Sequence, residues 1–417
     1  MNFIEGLVLF SVIAFPISIV LVPYVGTVLF VLLSFLSSYF FLANYKGLRS
    51  TKEEKFFYFC CLALIFISLL ISLINGLDAD VWKTAGRFSF ILMSIPLYLV
   101  FKTYLLKIKY IWWSLTIAIV LCGIAAIYEY NFGSIYDSHL VHGDRAKAAV
   151  HPIHFADIVL AMTMMVLIAS TSIKNIKTKA ILLILLVLCL GVTAVILSKS
   201  RGAWVMIPVF IVFMMWILKS KIPKRYFYSG AIVFMLFSLL FYFVPSTGIK
   251  YRVDQTVENL TNYSPGERYP TSIGARFEMW KAGWFLFKEN PVVGVGWGNY
   301  KKESQLLVDK GMVSPIAARY THPHSQYVSV LASGGIIMFV TLFFVFILPF
   351  KLFLDLYKSK VEEAKPYALA GMVLILGFMV FGLSATVFER SIPVSFYAFY
   401  LALMFAIGNR LKLENQD

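Results

Sequence analysis

An all-α integral membrane protein, with about twelve transmembrane helices and one long loop outside the membrane, is the architecture this sequence predicts. Three observations carry that reading. Hydrophobic residues make up 60% of the 417 positions, and only 14% are charged, where a soluble domain has about a quarter charged. Several apolar runs approach or exceed the ~20 residues that cross a hydrocarbon core. Finally, the runs are continuous, whereas a membrane β-barrel shows alternating segments of about ten residues. In lipid each run must satisfy its own backbone hydrogen bonds, so helices follow.

Taken in order, the runs fall at about 4–22, 25–44, 56–76, 88–106, 110–128, 153–172, 179–198, 203–218, 226–244, 327–350, 366–386 and 392–409. The first lacks a basic leader and a cleavage site and reads as a retained helix rather than a signal peptide. Residues 1–245 thus hold nine helices, 246–326 the long loop, and 327–417 three more helices and a short tail. Loop charges orient the bundle. One set of loops holds 20 Lys and Arg, while the short loops of the opposite face hold seven: Lys83, Arg87, Arg145, Lys147, Lys199, Arg201 and Arg390. The rich face, with both termini, is assigned to the cytoplasm and the long loop to the outside.

Within the long loop, residues 273–289 place Phe277, Trp280, Trp284 and Phe287 on one face at helical spacing, with Glu278, Lys281, Lys288 and Glu289 elsewhere. Thr271 or Ser272 caps the start and Asn290–Pro291 stops it. Two readings stand for the aromatic stripe: a helix lying in the membrane interface, or packing against the bundle. Next comes PVVGVGWGNY. It lacks the strand–helix context of a nucleotide site, and Gly294, Gly296 and Gly298 read as turn residues at a close backbone approach.

The net charge of +15 fits positive-inside loops and anionic headgroups. No basic stretch is interleaved with aromatics, so nucleic acid is not an expected partner; membrane lipids are. The four cysteines lie inside apolar runs and form no disulfide framework. No soluble dimer surface is apparent. All six histidines, His139, His142, His151, His154, His322 and His324, fall in or beside external segments. Histidine is suited to proton transfer near neutral pH, although polar residues also simply avoid lipid. His322 and His324, stiffened by Pro323, directly precede an apolar run and so sit at the membrane surface. Arg145, Arg201, Arg276 and Arg390 cluster on the same side at helix mouths, where a guanidinium fork suits phosphate oxygens. For any one arginine, snorkelling or pairing with Glu389 or Asp144 is the alternative. The spacing of the histidines with Asp137 and Asp144 matches no metal signature, and neither metal nor cofactor is expected.

SKSRGAW, then GARFEMWKAGWFLFKENPVVGVGWGNY, then THPHSQYVSVLASGGIIMFV, in that order, resembles the O-antigen ligase and polymerase superfamily. Its pattern is an Arg-Gly motif between two spans, a long external loop, a Pro-x-x-Gly-x-Gly turn and a His-x-His-Asn approach to the next helix. ERSIP near the C-terminus adds to the likeness, and the topology resembles the ligase branch. One departure is Ser325, where the family has Asn; serine still donates and accepts a hydrogen bond. The resemblance implies transfer of a glycan from undecaprenyl pyrophosphate onto a lipid A–core sugar hydroxyl at the periplasmic face of the bacterial inner membrane, inverting and without a metal. It implies His324 as general base with His322 as runner-up or support, and Arg276 and Arg201, with Arg145 and Arg390, binding the pyrophosphate. The alternatives are a polymerase of the same superfamily, which accepts another lipid-linked glycan, and a flippase of lipid-linked sugars. Related halves, common in transporters, are not visible.

Overall fold

A computed structural model describes residues 3–44, 51–75, 79–104, 109–136, 145–173, 177–219, 243, 249–261 and 271–415. Among these residues it is helical, with no strand. The helices are α1 (Phe3–Leu21), α2 (Val25–Asn44), α3 (Lys52–Asn75), α4 (Ala79–Leu92), α5 (Ser94–Tyr104), α6 (Lys109–Phe132), α7 (Pro152–Ser170), α8 (Thr178–Leu197), α9 (Arg201–Trp204) and α10 (Met206–Leu218). They continue with α11 (Ile249–Thr261), α12 (Ser272–Glu289), α13 (Tyr300–Asp309), α14 (Gln326–Tyr357), α15 (Lys365–Phe381) and α16 (Ser391–Glu414).

Ten helices among the described residues are long and apolar enough to cross a membrane. They match the expected runs with two differences. The run at 88–106 is divided between α4 and α5, which meet at Met93. The run at 226–244 lies, but for Phe243, outside the described residues. The bilayer-facing surfaces are visible in the burial pattern. On α8 only Val187, Gly191, Ala194 and Val195 are buried, while Leu182, Leu185 and Leu186 are exposed. A leucine-coated outer surface is stable in lipid and costly in water. The protein is an all-α membrane protein.

The chain forms two compact units, one of Met1–Leu70, Trp82–Ile207 and Val340–Asp417, the other of Ile71–Val81 and Pro208–Phe339. In the first unit α16 is the central helix, buried without interruption from Pro393 to Asn409. It packs on α5 and α15. Phe399 on it stacks on Phe15 of α1 with centroids 4.0 Å apart, and Tyr397 meets Phe378 at 4.9 Å. A polar node closes one end of this bundle. Thr51 and Glu54 form a reciprocal cap at the start of α3, each backbone N–H donating to the other side chain at 3.2 Å. The Glu54 side chain is fully buried, and its Oε1 also accepts from Lys102 Nζ at 2.8 Å, from Asn409 Nδ2 at 2.8 Å and from the Tyr98 hydroxyl. One carboxylate thereby ties α3, α5 and α16 together.

The second unit has its own core of Ala282, Leu286, Tyr300, Leu307, Val313, Ala317 and Ala332. These come from α12, α13, the bend at Val313, the 3₁₀ turn at Pro315–Ala318 and the first turns of α14.

Candidate functional site

In the second unit the site is built on α12. Thr271 caps it, its Oγ1 accepting from Gly274 N at 3.2 Å, and Asn290 ends it, as the sequence predicts. Its buried face is Gly274, Ala275, Glu278, Met279, Ala282, Gly283 and Leu286. The residues are mostly small because α14 lies against them; a Cβ on Gly283 would stand 2.4 Å from Val328 Cγ1. The aromatic stripe occupies the other side. Trp284 is 50% exposed with Lys288 Nζ 5.5 Å from its ring centre, and Phe277, Trp280 and Phe287 are half-buried. Glu278 lies off the aromatic face, as the spacing predicts. It is fully buried because Oε2 accepts the Ser314 N–H at 2.8 Å, fixing the turn that follows α13. Tyr300 donates to Met279 O at 2.8 Å, and burial pushes its hydroxyl pKa up.

The glycine-rich turn approaches backbone, as its composition predicts, and the partner is α14. Gly335 breaks that helix with φ 63° and ψ −164°. In a regular helix Ile336 N–H would bond Ala332 O, and Ile337 N–H would bond Ser333 O. Here both carbonyls accept from the turn, Val295 N to Ala332 O at 2.9 Å and Gly296 N to Ser333 O at 3.0 Å. Both amides donate to it, Ile336 N to Pro291 O at 2.9 Å and Ile337 N to Val292 O at 3.4 Å. The turn thus replaces two missing helix bonds with four of its own. Gly294 (φ 65°) and Gly335 are obligatory, since a Cβ on either would lie 2.3–2.4 Å from backbone.

The start of α14 carries the two histidines. His324 sits at φ 51°, a conformation that costs a non-glycine residue ~1–3 kcal/mol and persists only where the surroundings impose it. Trp280 Nε1 donates to Pro323 O at 3.0 Å. His324 N–H donates to His322 Nδ1 at 3.3 Å. Ser325 begins the helix, Ser329 N bonding its carbonyl at 2.9 Å; its buried hydroxyl lies 3.5 Å from Val328 N, the place an Asn cap would fill. The two imidazoles meet edge to face at 4.5 Å, and Tyr320 packs on His324 at 5.1 Å. Arg276 stands one helical turn before Trp280, and so on the same face of α12.

In the first unit a second cluster forms where α7, α9 and α16 begin. Arg145 donates from Nε to Ser198 O and from Nη2 to Ser200 Oγ, both at 2.9 Å. Ser200 in turn donates to Pro152 O at 2.9 Å and is the N-cap of α9, whose first residue is Arg201. His151 caps α7, its Nδ1 accepting from Ile153 N at 3.3 Å. Desolvation, then the charges of Arg145, Arg390 and Lys147, lower the pKa of His151. Arg145, Arg201 and Arg390 lie in this unit, Arg201 directly after the Ser200 cap, while Arg276, His322 and His324 belong to the other. Sequence reasoning gave no role to Glu129; it placed Trp280 in the aromatic stripe and Lys147 only among the loop charges. A lone acid in the last turn of an apolar run is the signal that could have found Glu129. His139, His142, Asp137 and Asp144 lie outside the described residues, and the rings of His151 and His154 are 5.8 Å apart.

Comparison with known proteins finds similar chains. A protein of Haemophilus influenzae without an assigned activity is 23% identical over 367 residues, spanning 88% of this chain and 90% of its own length. An O-antigen ligase of Escherichia coli is 25% identical over 237 residues, spanning 56% of this chain and 53% of its own. The O-antigen ligase family model matches residues 182–343, a stretch that holds Arg201, the aromatic helix, the glycine turn and the His-Pro-His approach to α14. Residues 182–343 are thus similar to the O-antigen ligase family.

Proposed function

We propose that this protein is an O-antigen ligase, a glycosyltransferase at the periplasmic face of the bacterial inner membrane. It moves a glycan from undecaprenyl pyrophosphate onto a hydroxyl of lipid A–core. The observation that carries this reading is His324, held in a strained conformation at the mouth of a membrane helix, within the stretch that matches the family. In the reaction the acceptor hydroxyl oxygen attacks the anomeric carbon as the bond to the pyrophosphate oxygen breaks, inverting that centre. The hydroxyl proton passes to His324, and undecaprenyl pyrophosphate leaves.

Hydrogen bonding supports His324 over His322 as the base. His322 Nδ1 already accepts an N–H, so the neutral ring carries its proton on Nε2 and offers no free lone pair there. His322 is assigned to hold the His324 backbone. Arg276, Arg201, Arg145 and Arg390 are assigned to the pyrophosphate, whose charge grows in the transition state and is best stabilised by fixed cations.

The test uses purified protein in liposomes with lipid-linked glycan and lipid A–core. Transfer by the wild type, and none by a correctly folded His324→Ala variant, is the expected result. Near-normal transfer by that variant would falsify the base assignment. In cells lacking the protein, full-length polymer should accumulate on the lipid carrier; a core bearing a single repeat unit would identify a polymerase instead.

A further inference from the structure

Glu129 lies in the last turn of α6, 4% exposed, and its carboxylate fastens two chain segments. Oε1 accepts from Ser134 Oγ at 3.2 Å and Ile135 N at 3.1 Å. Oε2 accepts from Lys147 N at 2.9 Å and Ala148 N at 2.8 Å. Two successive N–H groups converge on one oxygen only where the backbone turns sharply, and Ala148 is accordingly held at φ 48°. That residue gains no turn from glycine, so the acceptor must hold it. The segment so fixed begins with Arg145, contains Lys147 and ends on His151, the cap of α7, and Arg145 on it bonds Ser198 O and Ser200 Oγ.

We propose that Glu129 is a positioning residue for the donor pyrophosphate. It touches no substrate. Its carboxylate accepts three backbone N–H groups and the Ser134 hydroxyl, and so fixes the backbone that carries Arg145 and Lys147. The inference rests on the reading of Arg145 and its neighbours as the pyrophosphate site, and it adds Lys147 to that site.

A double-mutant cycle in the liposome transfer assay tests it. Glu129→Gln preserves size but turns an NH₂ toward one of the two donor pairs, and kcat/KM for the lipid-linked donor is expected to fall about tenfold. In an Arg145→Lys background, the further loss from Glu129→Gln should shrink below about twofold, because both changes act through one loop. In an Arg276→Lys background, in the other unit, it should stay about tenfold. If Glu129→Gln fails to accumulate, Glu129→Asp, too short to reach both segments, enters the same cycle. Equal losses in both backgrounds, or wild-type transfer by the Glu129 variant, overturn the positioning role. Wild-type transfer by Arg145→Ala overturns the pyrophosphate reading itself, and the inference with it.

Discussion

At the scale of single residues, two histidines have opposite assignments and opposite expected behaviour. Removing a general base lowers rates by roughly 10²–10⁴-fold, so His324→Ala should lose transfer by at least the lower figure. His322→Ala should retain more, since it removes support rather than the base; steady-state rates of the two variants decide this. His151 offers a pH test. Its folded pKa is lowered by burial and by Arg145, Arg390 and Lys147, while in the unfolded chain it titrates near the ordinary value of ~6.5. As pH falls through that value the unfolded state binds a proton that the folded state refuses, so stability is held above it and declines below it. Histidine NMR should find this ring neutral at pH 7, and Lys147→Ala should raise its pKa. The place of His322 and His324 directly before an apolar helix was legible in the sequence. The partners of Glu129 and Glu278 were not, because each binds backbone N–H groups distant in sequence, and such donors leave no trace in composition.

Among the elements, α12 was the most legible. Its Thr271 cap, its stop at Asn290 and its aromatic stripe all follow from local rules. Which face it buries did not follow, because an aromatic stripe and a Gly/Ala stripe are both compatible with packing; the close approach of α14 selected the small one. The break in α14 was equally hidden, since Gly334–Gly335 lies within an unbroken apolar run. Its structural weight can be measured. Gly294→Ala and Gly335→Ala each add left-handed strain and a clash with backbone, and should cost on the order of 3 kcal/mol. Thermal unfolding in detergent checks the value, with Gly311→Ala as the comparison, where φ is also positive but no neighbour lies within 4 Å.

For the molecule as a whole, long apolar runs decided the class, and the ten candidate spans follow them closely. Composition could not reveal the node that gathers Glu54, Tyr98, Lys102 and Asn409, whose members lie up to 355 positions apart. It predicts a fold-wide effect. Lys102→Met leaves a buried carboxylate without its cation, and breaking such a pair costs ~3–5 kcal/mol. The partial exposure of Lys102 puts the expectation at the low end, read as a lower unfolding temperature with little change in transfer at permissive temperature.

The exchange of hydrogen bonds at Gly335 has a consequence for local opening. Residues 291–296 and 332–337 form a neck of four hydrogen bonds through which the chain leaves and returns, closing the stretch from Trp297 to Leu331 that carries both histidines. Opening the neck breaks four bonds at once, and none reforms within the helix while Gly335 keeps its backbone turn. The amides of Val295, Gly296, Ile336 and Ile337 should therefore exchange with deuterium at one common rate, as a single cooperative unit.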